Sequence, residues 1–226
     1  MSRGLGDVYK RQAQLEGELV ELNRQLGRLA EDAPPVQRAA LQLEIGRALQ
    51  ILERGAEAWP IAQTAFGLFV SEQQWESAAD ACNVLYESGQ ADSLIALGHG
   101  LWLGVTFPID PEISVILLSH VVEDTPDDSD GAAVAAATAC FIADIRAAEG
   151  VDKERLSFFA QQLLGQVARR HSGVESQQQF DLWVERLELN EPDKFLVRLR
   201  NVVDVLVQDR WWFDREALQE QIPATE

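Results

Sequence analysis

The chain has 226 residues, 46% hydrophobic and 25% charged, and its 19 Lys and Arg face 37 Asp and Glu, a formal charge of −18 at pH 7. That apolar fraction excludes wholesale disorder, and no run approaches the length of apolar residues that would mark a transmembrane helix. The carboxylate excess argues against nucleic acid and anionic membrane as partners, because both are bound by Lys and Arg that displace counterions.

Residues 1–12 stand apart. The run Asp7-Val8-Tyr9-Lys10-Arg11-Gln12 back-translates to GAT GTG TAT AAG AGA CAG and resembles the transposon end ligated to DNA fragments during library preparation. On this reading residues 1–12 are an adapter artefact, to be left out of fold reasoning like any cloning scar. The natural N-terminus, with any signal or upstream domain, is then missing. The remainder keeps 16 of the 19 basic and 36 of the 37 acidic residues, a charge of −20.

From residue 13 onward apolar residues recur at helical spacing, and no alternating stretch of comparable length competes, so the chain is predicted to be all-α. Leu15, Leu19, Leu22, Leu26 and Leu29 form a heptad seam with Glu16, Glu18, Glu21, Arg24 and Arg28 on the outer faces. Two readings stand for residues 13–33: an amphipathic helix packed on its own domain, or a coiled-coil segment joining copies through the 15–29 seam. Pro34 and Pro35 end that helix. The next spans about Val36 to Arg54, with Leu41, Ile45, Ala48, Leu49 and Leu52 inward and Gly55 at its end, and Pro60 suits the first turn of a helix reaching Ser71.

Trp75, Ala78, Ala79, Cys82, Leu85 and Tyr86 follow the helical rule throughout, Gly89 closes that helix, and Leu94, Leu97, Leu101 and Val105 carry its partner. Residues 106–111 read as extended, with Asp110 a cap and Pro111 opening a helix through Ile113, Ile116, Leu117, Val121 and Val122. Pro126 ends it, and Asp127 to Gly131 lead into an alanine-rich helix from about Ala132 to Ala148. Asp152 is expected to cap the following helix, whose inward face is Leu156, Phe159, Leu163, Leu164 and Val167, with Arg169, Arg170 and His171 on its last turn where the helix dipole favours positive charge. Two more faces follow, Phe180, Trp183, Val184 and Leu187, then Phe195, Leu196, Leu199, Val202, Val203 and Leu206. A short helix opens at Asp214 and is cut by Pro223.

Helix pairs thus recur with a period of roughly 35 to 38 residues, the mark of a helical repeat array. Three similar stretches support it: Ala65-Phe66-Gly67-Leu68-Phe69-Val70, Gly98-His99-Gly100-Leu101-Trp102-Leu103 and, more loosely, Thr138-Ala139-Cys140-Phe141-Ile142-Ala143. Each sets a small residue just before an aromatic one, so that a neighbour can approach closely while the ring fills the layer between pairs. With Gln74-Trp75-Glu76-Ser77-Ala78-Ala79-Asp80-Ala81-Cys82 as the start of a first repeat helix and Pro126 as a repeat end, residues 36–150 resemble the tetratricopeptide-repeat-like α-solenoids. The Gly-x2-Tyr spacing of that family and a regular 34-residue period are absent. The resemblance implies stacked antiparallel helix pairs and a role in binding proteins.

Motifs for chemistry are sparse. Asp127-Asp128-Ser129-Asp130-Gly131 fails as a calcium loop, because aligning its glycine puts Pro126 and Ala137 where acidic ligands belong; its carboxylates read as caps for the alanine-rich helix. His99, His120 and His171 are scattered without metal-ligand spacing, though His99, His120, Cys82 and Cys140 could meet across adjacent repeats. No phosphate-binding glycine loop and no Gly-x-Ser-x-Gly elbow occurs. Asp209-Arg210-Trp211-Trp212-Phe213-Asp214 is the segment to watch: three successive aromatics cannot share one helix face, so they form either a C-terminal cap or a docking patch, and Trp102 with His99 is the second candidate binding site.

The sequence therefore predicts an all-α, TPR-like right-handed solenoid over residues 36–222, with a heptad-patterned helix before it and a capping helix at its end. It predicts a cytoplasmic, non-catalytic scaffold, adaptor or assembly chaperone with no cofactor and no metal, whose binding residues are His99, Trp102, Trp211, Trp212 and Phe213. The expected partner is a protein client with a basic segment, neither nucleic acid nor membrane. The alternatives are a helical enzyme or metal-handling protein using the histidines and cysteines between repeats, and an oligomeric subunit held by the 15–29 seam.

Overall fold

A computed structural model describes residues 3–220, with side chains from Lys10 onward. Eleven helices and no strand occur among the described residues: α1 (Arg3–Arg28), α2 (Pro35–Ile51), α3 (Gly55–Ser71), α4 (Trp75–Glu87), α5 (Ser93–Thr106), α6 (Pro111–Asp124), α7 (Asp130–Arg146), α8 (Val151–Ser172), α9 (Gln177–Arg186), α10 (Pro192–Val207) and α11 (Arg215–Gln219). Consecutive helices pack as pairs, α2 with α3, α4 with α5, α6 with α7, and the first members α2, α4, α6 and α8 also touch in succession. This is the all-α helical repeat architecture the apolar spacing predicts. None of the described helices is long and apolar enough to cross a membrane.

α1 runs without a break from Arg3, through residues 3–12 and into the leucine seam. The seam is used inside the chain: Leu19 is buried and, with Leu22 and Leu26, packs against Ile45, Ala48, Leu49 and Leu52 at the far end of α2. The cut expected at Pro223 lies outside the described residues.

Several local expectations need correction. Gly55 does not end α2 but opens α3, because a Cβ there would collide with the Ser88 carbonyl oxygen at the end of α4; Pro60 consequently sits inside α3. Ser129 rather than an aspartate caps α7, its hydroxyl accepting from Ala132 N–H. α8 starts after Gly150, whose φ of 131° no ordinary residue adopts easily, so Asp152 falls in the first turn and not at the cap. Leu94, Ile116 and Phe159, read as inward, are exposed at 48%, 36% and 46%. The Asp110 cap with Pro111 at the first turn and the Asp214 cap of α11 form as predicted.

Helix C-termini that face inward leave orphan carbonyls, and arginines from later helices satisfy them. Arg146 of α7 donates to the carbonyls of Gly104, Val105 and Phe107 at the end of α5, at 2.6 to 3.0 Å. Arg170 of α8 does the same for Val122 of α6 at 2.7 Å, and Arg198 of α10 for Leu187 after α9 at 2.6 Å.

A third row completes the fold. α10 lies against α5 and α7, so the second members of the pairs are roofed by the chain's own C-terminal segment. Gly98 makes this possible: a Cβ there would stand 2.5 Å from Val207 Cγ2 and 3.1 Å from Leu206 Cβ. On another side of α5, a Cβ at Gly100 would meet Cys82 of α4 at 2.9 Å and Leu117 of α6 at 3.0 Å. Gly67, the counterpart in the α3 stretch, has open space, so close approach is a property of α5 and not of every pair. Gly98→Val is expected to lower the unfolding free energy by at least about 1–3 kcal/mol through overpacking against α10, measured by urea denaturation. Gly67→Ala should be neutral or slightly stabilising in the same assay, since Ala outranks Gly within a helix.

Candidate functional site

The five residues singled out in the sequence meet at one place. α5 presents His99 and Trp102 on the side that α10 roofs, and after α10 the chain turns at Gln208, with φ 54°, to lay Trp211, Trp212 and Phe213 back over α5 and α3. Trp212 stacks on the His99 imidazole at 4.4 Å between centroids and 16° between planes, while Trp211 and Phe213 approach the same ring edge-on at 5.2 and 5.3 Å. Phe66 and Trp59 of α3 close the far wall, Phe66 meeting Trp212 at 5.5 Å and Trp59 meeting it at 6.1 Å. Trp102 meets Phe213 at 5.3 Å and Trp211 at 6.0 Å. Ring pairs at these separations contribute about 0.5–1.5 kcal/mol each beyond the area they bury.

His99 is fully buried and fixes the segment by a directional bond. Its Nε2 lies 3.0 Å from the Trp212 backbone nitrogen and its Nδ1 2.6 Å from the Ile95 carbonyl oxygen. A backbone N–H can only donate, so Nε2 accepts and the ring proton sits on Nδ1, donated to Ile95. Both nitrogens are engaged and the ring is neutral. Burial pushes its pKa down to about 4, outweighing the opposing effect of the Ile95 bond.

The segment is otherwise held at its edges. Arg210 pairs with Asp92 at 2.9 Å, Arg215 with Asp204 at 3.0 Å, and the Arg215 guanidinium lies 4.8 Å from the centre of a Trp211 ring. The Arg210–Asp92 pair is exposed and the Arg215–Asp204 pair only part-buried, and ion pairs open to solvent add little, so the aromatic contacts and the His99 bond carry most of the attachment.

Two grooves flank α10. One, about 160 Å³, lies between α5, α10 and α11 over Leu101, Trp102, Leu199 and Val203, with Asp204 and Arg215 at its mouth. The other, about 370 Å³, runs between the start of α5, the α6–α7 corner and α10; Leu94, Leu97, Val121, Val202, Val205 and Leu206 form it. Its apolar residues reach solvent, Leu94 at 48% and Val205 at 73%, and Asp124 stands on its edge with the exposed Asp127 and Asp128 on the same corner.

The histidines and cysteines do not assemble. His120 Nε2 is 2.8 Å from Asn83 Oδ1, burial raises the Cys82 thiol well above its ordinary range, and that of Cys140 is pushed up to about 11. Among the described residues no group of three or more His, Cys, Asp or Glu is placed to hold a metal ion. Trp59 was missed from the sequence, although its spacing of seven from Phe66 puts both on one helical face. The second groove was missed because Leu94 was assigned inward.

His99 couples stability to pH. Unfolded, it protonates near 6.5; folded, near 4. Above 6.5 neither state binds the proton, and as pH falls toward 4 only the unfolded state does, so stability is lost across that window by about 3 kcal/mol. Urea denaturation at pH 7 and pH 4.5 should show this loss superimposed on that of the carboxylates, and His99→Phe should remove it while costing stability at pH 7 through the unpaired Trp212 N–H. Comparison with protein-family models, with characterised proteins and with solved structures found no match to this chain.

Proposed function

We propose that this protein is a non-catalytic binding scaffold, an adaptor or assembly chaperone of the tetratricopeptide-repeat-like kind, whose client carries a segment combining apolar and basic residues. The observation that carries this reading is the 370 Å³ groove beside α10, where exposed Leu94 and Val205 lie next to the Asp124, Asp127 and Asp128 corner. An apolar floor takes the anchoring side chains and an acidic rim attracts and orients a cationic segment. The charge of −18 extends that attraction over the whole surface.

The third row alters where a client would bind. Trp211, Trp212 and Phe213 already fill the aromatic cradle, so they support a cap for the second row, and the docking surface shifts to the flank of α10. Two unpaired thiols, Cys82 buried and Cys140 half-buried, support a reducing compartment such as the cytoplasm.

A fluorescent helical peptide of Leu and Lys, with Leu at every third or fourth position, is a suitable probe by anisotropy. The native chain should bind it with an affinity that falls severalfold, roughly, as salt rises, since exposed charges are screened. Leu94→Glu with Val205→Glu should weaken binding at least about tenfold by breaking the apolar anchor. Affinity indifferent to salt, or unchanged in the double variant, would rule the reading out.

A further inference from the structure

α8 is the last of the first members α2, α4, α6 and α8, and no described helix follows it in that row. It packs on α7 and α6 through the side that carries Ala160, Leu163, Val167 and Ala168, and α9 meets it at its last turn, where Trp183 Nε1 donates to His171 Nδ1 at 3.2 Å and Arg186 Nη2 to Ser172 Oγ at 2.9 Å. α10 turns back to roof α5 and α7. The side of α8 away from its buried stripe is open: Val151, Glu154, Phe158, Gln161, Gln162 and Arg169 fall on one helical face and all are exposed, Val151 at 79% and Phe158 at 63%.

Gly165 lies on the same face, two turns beyond Phe158, and leaves a gap. Outside its own helix backbone, a Cβ there would meet only the Arg169 guanidinium, at 3.5 Å. A glycine in mid-helix weakens the helix relative to alanine, and no neighbour within the chain uses the space it leaves. The two ends of the face differ in charge, with Asp152 and Glu154 in the first turn and Arg169, Arg170 and His171 in the last. Arg155 is taken up by Glu112 and Asp152 of its own chain, at 3.4 and 3.9 Å, whereas Glu154 and Arg169 have no ion-pair partner among the described residues. Lys153, Arg155, Arg169 and Arg170 outnumber Asp152 and Glu154, so α8 is a basic helix in a chain of charge −18. Here two copies can meet without the repulsion that separates their other surfaces.

These features are self-complementary about one point. Glu154 and Arg169 are centred between Gln161 and Gln162, and so are Phe158 and Gly165, and so are Val151 and Ser172. We propose that the protein pairs with a second copy of itself through α8, antiparallel, about a two-fold axis passing between Gln161 and Gln162. Each Phe158 then enters the gap at the partner's Gly165, and each Glu154 lies beside an Arg169. Each Val151 faces the notch of about 220 Å³ that Ser172, Val174 and Leu182 line on the partner. The contact is isologous, so every complementary pair forms twice, and the antiparallel helix dipoles oppose. Two helices about 33 Å long in contact bury on the order of 1,000 Å² in total, the low end of specific interfaces, so the dimer is reversible and forms at high protein concentration. This surface shares no residue with the groove beside α10.

Sedimentation velocity of the full chain, from micromolar to millimolar protein, should show a monomer–dimer equilibrium with no larger species. Phe158→Glu and Gly165→Leu should each weaken dimerisation at least about tenfold, the first by removing the apolar knob and the second by filling the gap. Both positions face solvent in the monomer, and leucine outranks glycine within a helix, so Gly165→Leu should hold or raise the melting temperature while it weakens the dimer. Glu154→Arg and Arg169→Glu should each weaken dimerisation severalfold, roughly, by setting like charges opposite, and the chain carrying both should recover the native affinity, because the two-fold axis exchanges the pair. That recovery distinguishes antiparallel α8 pairing from any other dimer. A chain that stays monomeric at millimolar concentration would overturn the proposal. So would assembly beyond the dimer, dimerisation unchanged by Phe158→Glu, or single charge variants whose loss is not restored in the double.

Discussion

From Ile95 to Gly104, α5 has no side left for water, and most of what is distinctive in this molecule follows from that. α4 and α6 cover it on the side of Gly100, and α10 covers it on the side of Gly98, where Val207 occupies the space a Cβ would need. Leu97, Leu101 and Leu103 are at or below 1% exposure, and so is His99. A histidine so enclosed must stay neutral and must satisfy two nitrogens locally, because an unpartnered buried polar group forfeits its hydration without compensation. One nitrogen is served within the helix by Ile95; the other has to be served from outside, and the Trp212 N–H supplies it. The roof over α5 and the fold-back of the tail are thus two expressions of one packing decision.

The aromatic members of the three similar stretches show how that decision is written along the chain. Phe66 and His99 both face the tail, and Phe141 meets Phe195 of α10 at 5.8 Å. These rings were read as filler between neighbouring pairs. Phe66 and His99 do meet edge-on between α3 and α5, at 6.2 Å, and with Phe141 they also form the floor on which the third row rests, one ring from each second member of a pair.

The helices themselves were legible because the periodic burial of leucine, alanine and valine is a local property, and caps such as Asp110 and Asp214 act within one turn. The convergence of His99, Trp102 and Trp211 to Phe213 was legible only as a set of unusual residues. Their meeting depends on where α10 lies, and the stripe from Phe195 to Leu206 is that of any amphipathic helix. What selects its seat is Gly98, which in the sequence is indistinguishable from Gly67, a glycine with open space around it.

Arrays of stacked hairpins ordinarily tolerate gain or loss of a unit, since each layer touches only its neighbours. Here α10 bridges α5 and α7, and the tail that follows it reaches back to Trp59 and Phe66 on α3. Insert or delete one hairpin, and the tryptophans would fall out of step with the layer they serve. By folding the segment after α10 across three layers, the molecule ties α3, α5 and α7 to one another and gives up the modularity of a simple array.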